Sequence, residues 1–563
     1  MSIAPVKPTI KGVPLPVLST SHPANQLPLP KPVGQGLVAL FSVWLIVSLL
    51  MTYIAARDLS APGLYYDEAV CAGQAKDFLN GRSRGDHMPG TKTINCFGRP
   101  LPIYVQGYFG ALKSWLLIPS FALFGPSVAV LRLTTLGWGL IGLLLFMLWT
   151  RRLLGWPSAL IAGPLLGLDP SYFFMTVHDW GPVVPGFLCR FAGFYLLLRW
   201  WQRQKWHELF LATLFFGLGF FNKVDFIVIL YGCGLALLFT HRREIVSTIK
   251  ATPVEFALGT SGFLLFAVPM IMRARRILQV TIGASGKTGL AEQANVALAM
   301  YDGSYFWRLM DVGGRFKKMF EASSAVWSPF GLVFLLASVF LIVEVTRHFR
   351  TDSRCRLLAW LLLSTLFETV GFLLLPGANR IHHALLVYPF PQLIITAALV
   401  RLWQRPSATT ERSFIQRIFV VGVGLMLITG HLFAIQRTGR LIQETGGRGW
   451  WSNALDEFCN DVKGRTDLTI VSLDWGFNEQ LLFLTDGPRL SEPLWQMAPD
   501  EKLGFNPYSN TIYLIHPPEY TLYHSATRIL KNLRLADTRK AMVRAYFDRE
   551  NQVAFYAVRF TPE

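Results

Sequence analysis

The chain has 563 residues, of which 52% are hydrophobic and 16% charged, and a net charge of +18. Water-soluble domains carry about a quarter charged residues, so this balance excludes an ordinary soluble enzyme and points to a membrane protein. The basic residues are spread over short loops rather than gathered with aromatics on one soluble module, which argues against nucleic-acid binding.

Residues 1–34 are Pro-rich and polar and form an N-terminal segment. The first apolar run, 35–55, is too long for a cleaved h-region and is expected to stay as a span. Further runs lie at 129–149, 157–177, 183–199, 208–222, 224–240, 256–272, 329–346, 357–375, 382–400 and 416–435. Roughly 20 helical residues cross a hydrocarbon core of about 30 Å, which predicts about eleven transmembrane helices within a domain over 35–435.

Basic residues mark alternate loops: Arg151 and Arg152, then Arg199, Arg203 and Lys205, then Arg242, Arg243 and Lys250. Arg347, Arg350, Arg354 and Arg356 continue the series, followed by Arg401, Arg405, Arg412 and Arg417. The positive-inside rule puts these loops and the N-terminus in the cytoplasm. Long external loops then cover 56–128 and 273–328. Within the first, the aromatic run 103–124 is expected to form an amphipathic helix on the outer membrane surface. Cys71 and Cys96 share that loop and could pair in an oxidising compartment.

Residues 436–563 have soluble composition and are expected outside. Runs at Leu468–Leu473, Thr511–Ile515 and Val553–Phe560 read as strands, and 452–463 and 524–534 as helices, giving a mixed α/β domain.

Ionisable residues recur at the outer rim in four loops: Asp67 and Glu68 beside Tyr66; His178 and Asp179; Lys223 and Asp225; and Arg380, His382 and His383. Such groups are costly near a bilayer and are often functional, and one outward cavity would use them together. Helix capping, water contact or interhelical bonding is the alternative for each. Sugar transfer from a lipid-phosphate donor needs all these types. Asp67 is the expected general base, with Glu68 orienting it or touching the acceptor. Asp179, with Asp67 and His178, could hold a divalent cation such as Mg²⁺ or Mn²⁺. Lys223, Lys287, Arg308 and Arg380 are candidates to neutralise the donor phosphate. Gly283 to Gly289 lacks the full phosphate-loop spacing and lies outside the membrane, so no nucleotide is expected, nor haem.

The run Tyr66-Asp67-Glu68-Ala69, with Ala75 to Gly81, Arg99-Pro100-Leu101-Pro102, Gly125 and Arg132-Leu133, resembles the opening of GT-C-fold glycosyltransferases. The branch it is most similar to holds the protein O-mannosyltransferases and lipid A aminoarabinose transferases. The resemblance implies a first-loop acidic catalytic residue at Asp67 and a second-loop acidic element at Asp179. It also implies a polyprenyl-phosphate sugar donor, inversion at the anomeric centre, and an extracytoplasmic glycan, lipid or protein acceptor. A multi-pass protein of the inner (cytoplasmic) membrane follows. An ion-coupled secondary transporter is the main rival, and a noncatalytic envelope assembly protein the third reading.

Overall fold

The computed structural model describes residues 36–83, 85, 87–275, 277, 290–302, 328–375, 383, 385–405, 409–493, 510–522 and 540–561. Its membrane half starts with α1 (Leu37–Ala55), followed by α2 (Tyr66–Asn80), which lies in the first long loop. Three short strands come next: β1 (Lys92–Cys96), β2 (Arg99–Gln106) and β3 (Phe109–Gly110), in the order β1-β2-β3. Then come α3 (Leu112–Phe124), α4 (Val128–Leu154), α5 (Trp156–Gly167), α6 (Pro170–Val177), α7 (Val183–Arg203) and α8 (Trp206–Asn222). The rest of the bundle is α9 (Ile227–Ala251), α10 (Pro253–Ile271), α11 (Leu290–Asp302), α12 (Phe330–His348), α13 (Ser353–Leu374), α14 (Phe390–Gln404) and α15 (Thr410–Thr445).

Among the described residues, eight helices are long and apolar enough to cross a membrane, or nine if α5 and α6 form one bent span. Helix α8, at 17 residues, and α14, at 15, occupy the other two of the eleven expected positions and are shorter than these spans, so the count of eleven is not confirmed. The run read as a straight span over 157–177 is broken by 62°. Pro170 opens α6 there, and Asp169 caps it by accepting the Ser171 and Tyr172 amides.

The run 103–124 is also corrected. Its first half is strand, with Ile103 to Gln106 in β2, and only α3 is helical. The β1–β2 hairpin closes on Gly98, whose amide is accepted by the Asn95 side chain. Cys71 and Cys96 are free thiols rather than a disulfide.

Helix α15 is 36 residues long, about 54 Å, so it leaves the bundle and carries the chain into the C-terminal domain. That domain contains α16 (Ala454–Asp461), β4 (Thr469–Ser472), α17 (Asn478–Leu484), β5 (Arg489–Ser491), β6 (Thr511–Ile515), β7 (Lys540–Phe547) and β8 (Val553–Thr561). The sheet order is β5-β4-β6-β8-β7, with β4 parallel to both neighbours and β8 antiparallel to β6 and β7. Phe458, Ile470, Leu481, Leu514 and Phe555 fill its core. The helix expected over 524–534 lies outside the described residues.

The two halves meet closely. A Cβ on Gly63 would lie 2.4 Å from the Ser452 carbonyl oxygen, so only glycine permits this approach. The Gly63 amide also donates to the Gly446 carbonyl at 3.1 Å.

Candidate active site

Helix α2 begins where Tyr65 takes extended backbone geometry and Glu68 reaches back to its amide at 3.5 Å. Asp67 and Glu68 sit in the first turn, where the helix dipole favours carboxylates. Their environments differ. Glu68 is 1% exposed and makes a two-pronged ion pair with Arg132 of α4, at 2.8 and 2.9 Å. Arg132 spends its remaining nitrogen on the Leu59 carbonyl. This bidentate bond holds α2 against the bundle. Asp67 is only partly buried.

The loop between α6 and α7 crosses directly over Asp67. Gly181 donates its amide to the Asp67 carbonyl at 3.0 Å, from a left-handed φ of 78° that favours glycine. Lys113, fully buried on α3, holds this loop by donating to the Asp179 and Gly181 carbonyls at 2.8 and 2.9 Å. Its ammonium also faces Asp179 Oδ2 at 3.2 Å. Asp179 Oδ1 accepts the Val183 and Val184 amides, both at 3.0 Å, and so caps α7. Burial pushes the Asp179 carboxyl up, against the pull of Lys113 and these amides.

The next loops join the same end of the bundle. Asn222 donates to the Pro182 carbonyl at 2.6 Å, and the Val224 amide to the Tyr108 carbonyl at 3.2 Å. Lys223 lies 3.0 Å from Asp225, and His383 Nδ1 is 3.0 Å from the same carboxylate oxygen. The loops that carry Tyr108, Pro182, Lys223 and His383 therefore converge, with Lys223, Asp225 and His383 as one cluster. Lys287, Arg308, Arg380 and His382 lie outside the described residues.

Two other expected cavity residues are turned inward. Tyr66 is fully buried and donates its hydroxyl to Glu492 of the C-terminal domain at 3.1 Å. Burial first, then Glu492 and Glu479, hold its phenol well above the usual range. His178 is buried and stacked on Phe174. Burial and the Arg132 charge keep its imidazole well below the usual range and therefore neutral.

A cation shared by Asp67, Asp179 and His178 would need the Asp179 carboxylate, which two amides and Lys113 already occupy. Among the described residues, no group of three or more His, Cys, Asp or Glu side chains is arranged to hold a metal.

The C-terminal domain supplies a wall that sequence reasoning missed. Trp451 stacks on Tyr65 with centroids 3.7 Å apart, and Trp180 lies 4.2 Å from Trp451. Trp475 packs on Tyr66 at 4.7 Å. Lys76 of α2 donates to the Phe483 and Thr485 carbonyls at 2.7 and 2.9 Å, capping the C-terminus of α17. Lys113 was also passed over, and Arg132 entered only through the family resemblance, without its partner. Their signal was a lone charge in an apolar run, which demands a buried partner.

A family model described as dolichyl-phosphate-mannose-protein mannosyltransferase matches residues 111–272, a stretch containing Lys113, Arg132, Asp179 and Lys223. None of the curated proteins matches the chain. The crystal structure of ArnT from Cupriavidus metallidurans bound to undecaprenyl phosphate is similar, with 13% identity and a TM-score of 0.50. That likeness covers 93% of this chain and 99% of that one. The apo structure of the same protein gives 14% identity and a TM-score of 0.51, over 92% and 97% of the two chains. With its helical bundle, α2 loop and C-terminal α/β domain, this chain is a polytopic membrane protein of the GT-C fold, related in architecture to ArnT.

Proposed function

We infer that the chain transfers a sugar from a polyprenyl-phosphate-linked donor to an extracytoplasmic acceptor, with inversion at the anomeric carbon. The observation that carries this reading is the setting of Asp67. Its main chain is pinned by Gly181 and its flanks by the Glu68–Arg132 and Lys113–Asp179 pairs, while its side chain keeps partial exposure. A carboxylate fixed this way is ready to act as a general base.

In the reaction, Asp67 takes the proton of the acceptor hydroxyl. The acceptor oxygen bonds to the anomeric carbon from the face opposite the phosphate. The bond from that carbon to the phosphate oxygen breaks, and the lipid phosphate leaves with the electron pair. Lys223, tuned by Asp225 and His383, meets the charge that develops on the leaving phosphate, and Lys287, Arg308 and Arg380 are further candidates for that task. No step is routed through a metal.

The arginine-bearing loops fall at the opposite ends of the helices from this site, which supports a cytoplasmic N-terminus and an outward-facing site in an inner membrane. The acceptor is a glycan, lipid or protein on that side.

The reading is tested by incubating the purified protein with a set of polyprenyl-phosphate sugars and measuring the lipid phosphate released. Turnover of at least one donor is expected. Solute uptake in proteoliposomes driven by an ion gradient, without release of lipid phosphate from any donor, would favour a secondary transporter instead.

A further inference from the structure

Away from Asp67, where the far end of α2 meets the loop leading to β1, lies a cavity of about 380 Å³. Its lining includes the polar side chains of Gln74, Asp77, Ser83, His87, Thr91 and Thr93. Two of these are almost fully buried, and each keeps an oxygen without a partner. Gln74 and Asp77 are each 2% exposed, and neither Gln74 Oε1 nor Asp77 Oδ1 accepts a hydrogen bond among the described residues. A buried acceptor left unmet costs free energy, so an occupant that donates to both would recover that cost.

The rest of the lining is held in place. His87 bridges Asp77 through Nε2 at 3.0 Å and Glu479 of the C-terminal domain through Nδ1 at 3.4 Å. Glu479 also accepts the Met88 amide at 3.1 Å. The Gln74 amide nitrogen points to Thr91 at 3.4 Å, which directs its oxygen the other way. The two unmet groups are both oxygens, so the cavity favours a donor of hydrogen bonds over an anion.

Position ties the cavity to the reaction. Gln74 is seven residues after Asp67, on the same face of α2 and about 10 Å further along the helix. Val70 and Cys71, on the turn between them, are buried in the core, so the cavity and the Asp67 site are joined by their place on one helix rather than by an open channel along it.

We propose that the cavity is a subsite for the acceptor, binding a sugar unit that donates hydrogen bonds through hydroxyl or amino groups to Gln74 and Asp77. This assignment rests on the transferase reading and names the chemistry of one of its substrates.

The test uses the full-length purified protein and two immobilised probes, maltotriose as a neutral polyol and chitosan trisaccharide as its amine-bearing counterpart. Gln74→Leu removes the acceptor at nearly constant volume. Thr93→Trp, at an exposed strand position, blocks the mouth without entering the core. Wild type should bind at least one probe, and both variants should weaken that binding by about tenfold, with the acceptor KM rising equally and the donor KM holding. Preference between the probes tells hydroxyl from ammonium recognition. Failure of wild type to bind either probe, or unchanged binding in both variants, would overturn the subsite. Binding is read without turnover, so an absence of lipid-phosphate release would count against the transferase reading alone. Normal turnover with an unmoved acceptor KM in both variants would count against the cavity alone.

Discussion

Gly181 donates its main-chain amide to the Asp67 carbonyl at 3.0 Å, joining two loops that lie more than a hundred residues apart in the chain. The bond ties the proposed base to the loop that carries Asp179. Two buried ion pairs then fix the junction from either side. Asp67 is held by its backbone and by its neighbours' charges, and its side chain keeps partial exposure.

The first of those pairs sets a stability prediction. Glu68→Gln leaves Arg132 buried without its counter-charge and should cost about 3–5 kcal/mol. The double variant Glu68→Gln with Arg132→Met removes both charges and should recover much of that loss. Thermal unfolding of the purified protein, followed by loss of the monodisperse fraction, reads both effects. Equal melting of Glu68→Gln and wild type would contradict the assignment of Glu68 as an anchor.

The second pair gives a parallel case with a functional consequence. Lys113→Met strands the buried Asp179 carboxylate and frees two loop carbonyls, with an expected cost of about 3–5 kcal/mol. Adding Asp179→Asn keeps an oxygen for the Val183 and Val184 amides while removing the charge, so the double variant should melt above Lys113→Met. A double variant that is no more stable than the single one would mean that Lys113 acts through its carbonyl bonds alone.

His87 provides the pH dependence. Burial alone would lower its pKa, but Glu479 and Asp77 outweigh burial and raise it from 6.5 to about 10. A folded value above the unfolded one means that the protonated form stabilises the fold. Its contribution is complete below pH 6.5, declines as the pH rises, and is lost above about 10. His87→Gln should therefore lower the melting temperature more at pH 6 than at pH 10. A gap that widened with rising pH would contradict the charged bridge.

Much of the architecture was legible because it follows from local pattern. Strands β4, β6 and β8 fall on the β-branched runs, and the order of membrane helices follows the apolar runs. The acidic pair of the first loop stood out against its apolar surroundings. Three features were hidden for physical reasons. The 103–106 segment is strand because β2 pairs with β1 through Pro100 and Pro102, residues that normally argue against a ladder position. The bend at Asp169 and Pro170 is a capping event inside an unbroken apolar run. The wall built by Trp451, Trp475 and Glu492 joins α2 to residues almost 400 positions or more away, as in the Tyr66–Glu492 bond with a separation of 426. No local pattern carries such a pairing. Glu68 and Asp179 were read without partners because those partners, Arg132 and Lys113 in turn, sit in other apolar runs.

Asp67 bears the weight of the transfer reading, and a single-turnover measurement tests it most directly. Purified wild type, Asp67→Asn and Asp67→Glu are each loaded with a polyprenyl-phosphate sugar that wild type consumes, and glycosylated acceptor is quantified over time. Asp67→Asn should lose about 10²–10⁴ of the transfer rate with its melting temperature intact, and Asp67→Glu should keep part of it. Transfer by Asp67→Asn at the wild-type rate would contradict the account.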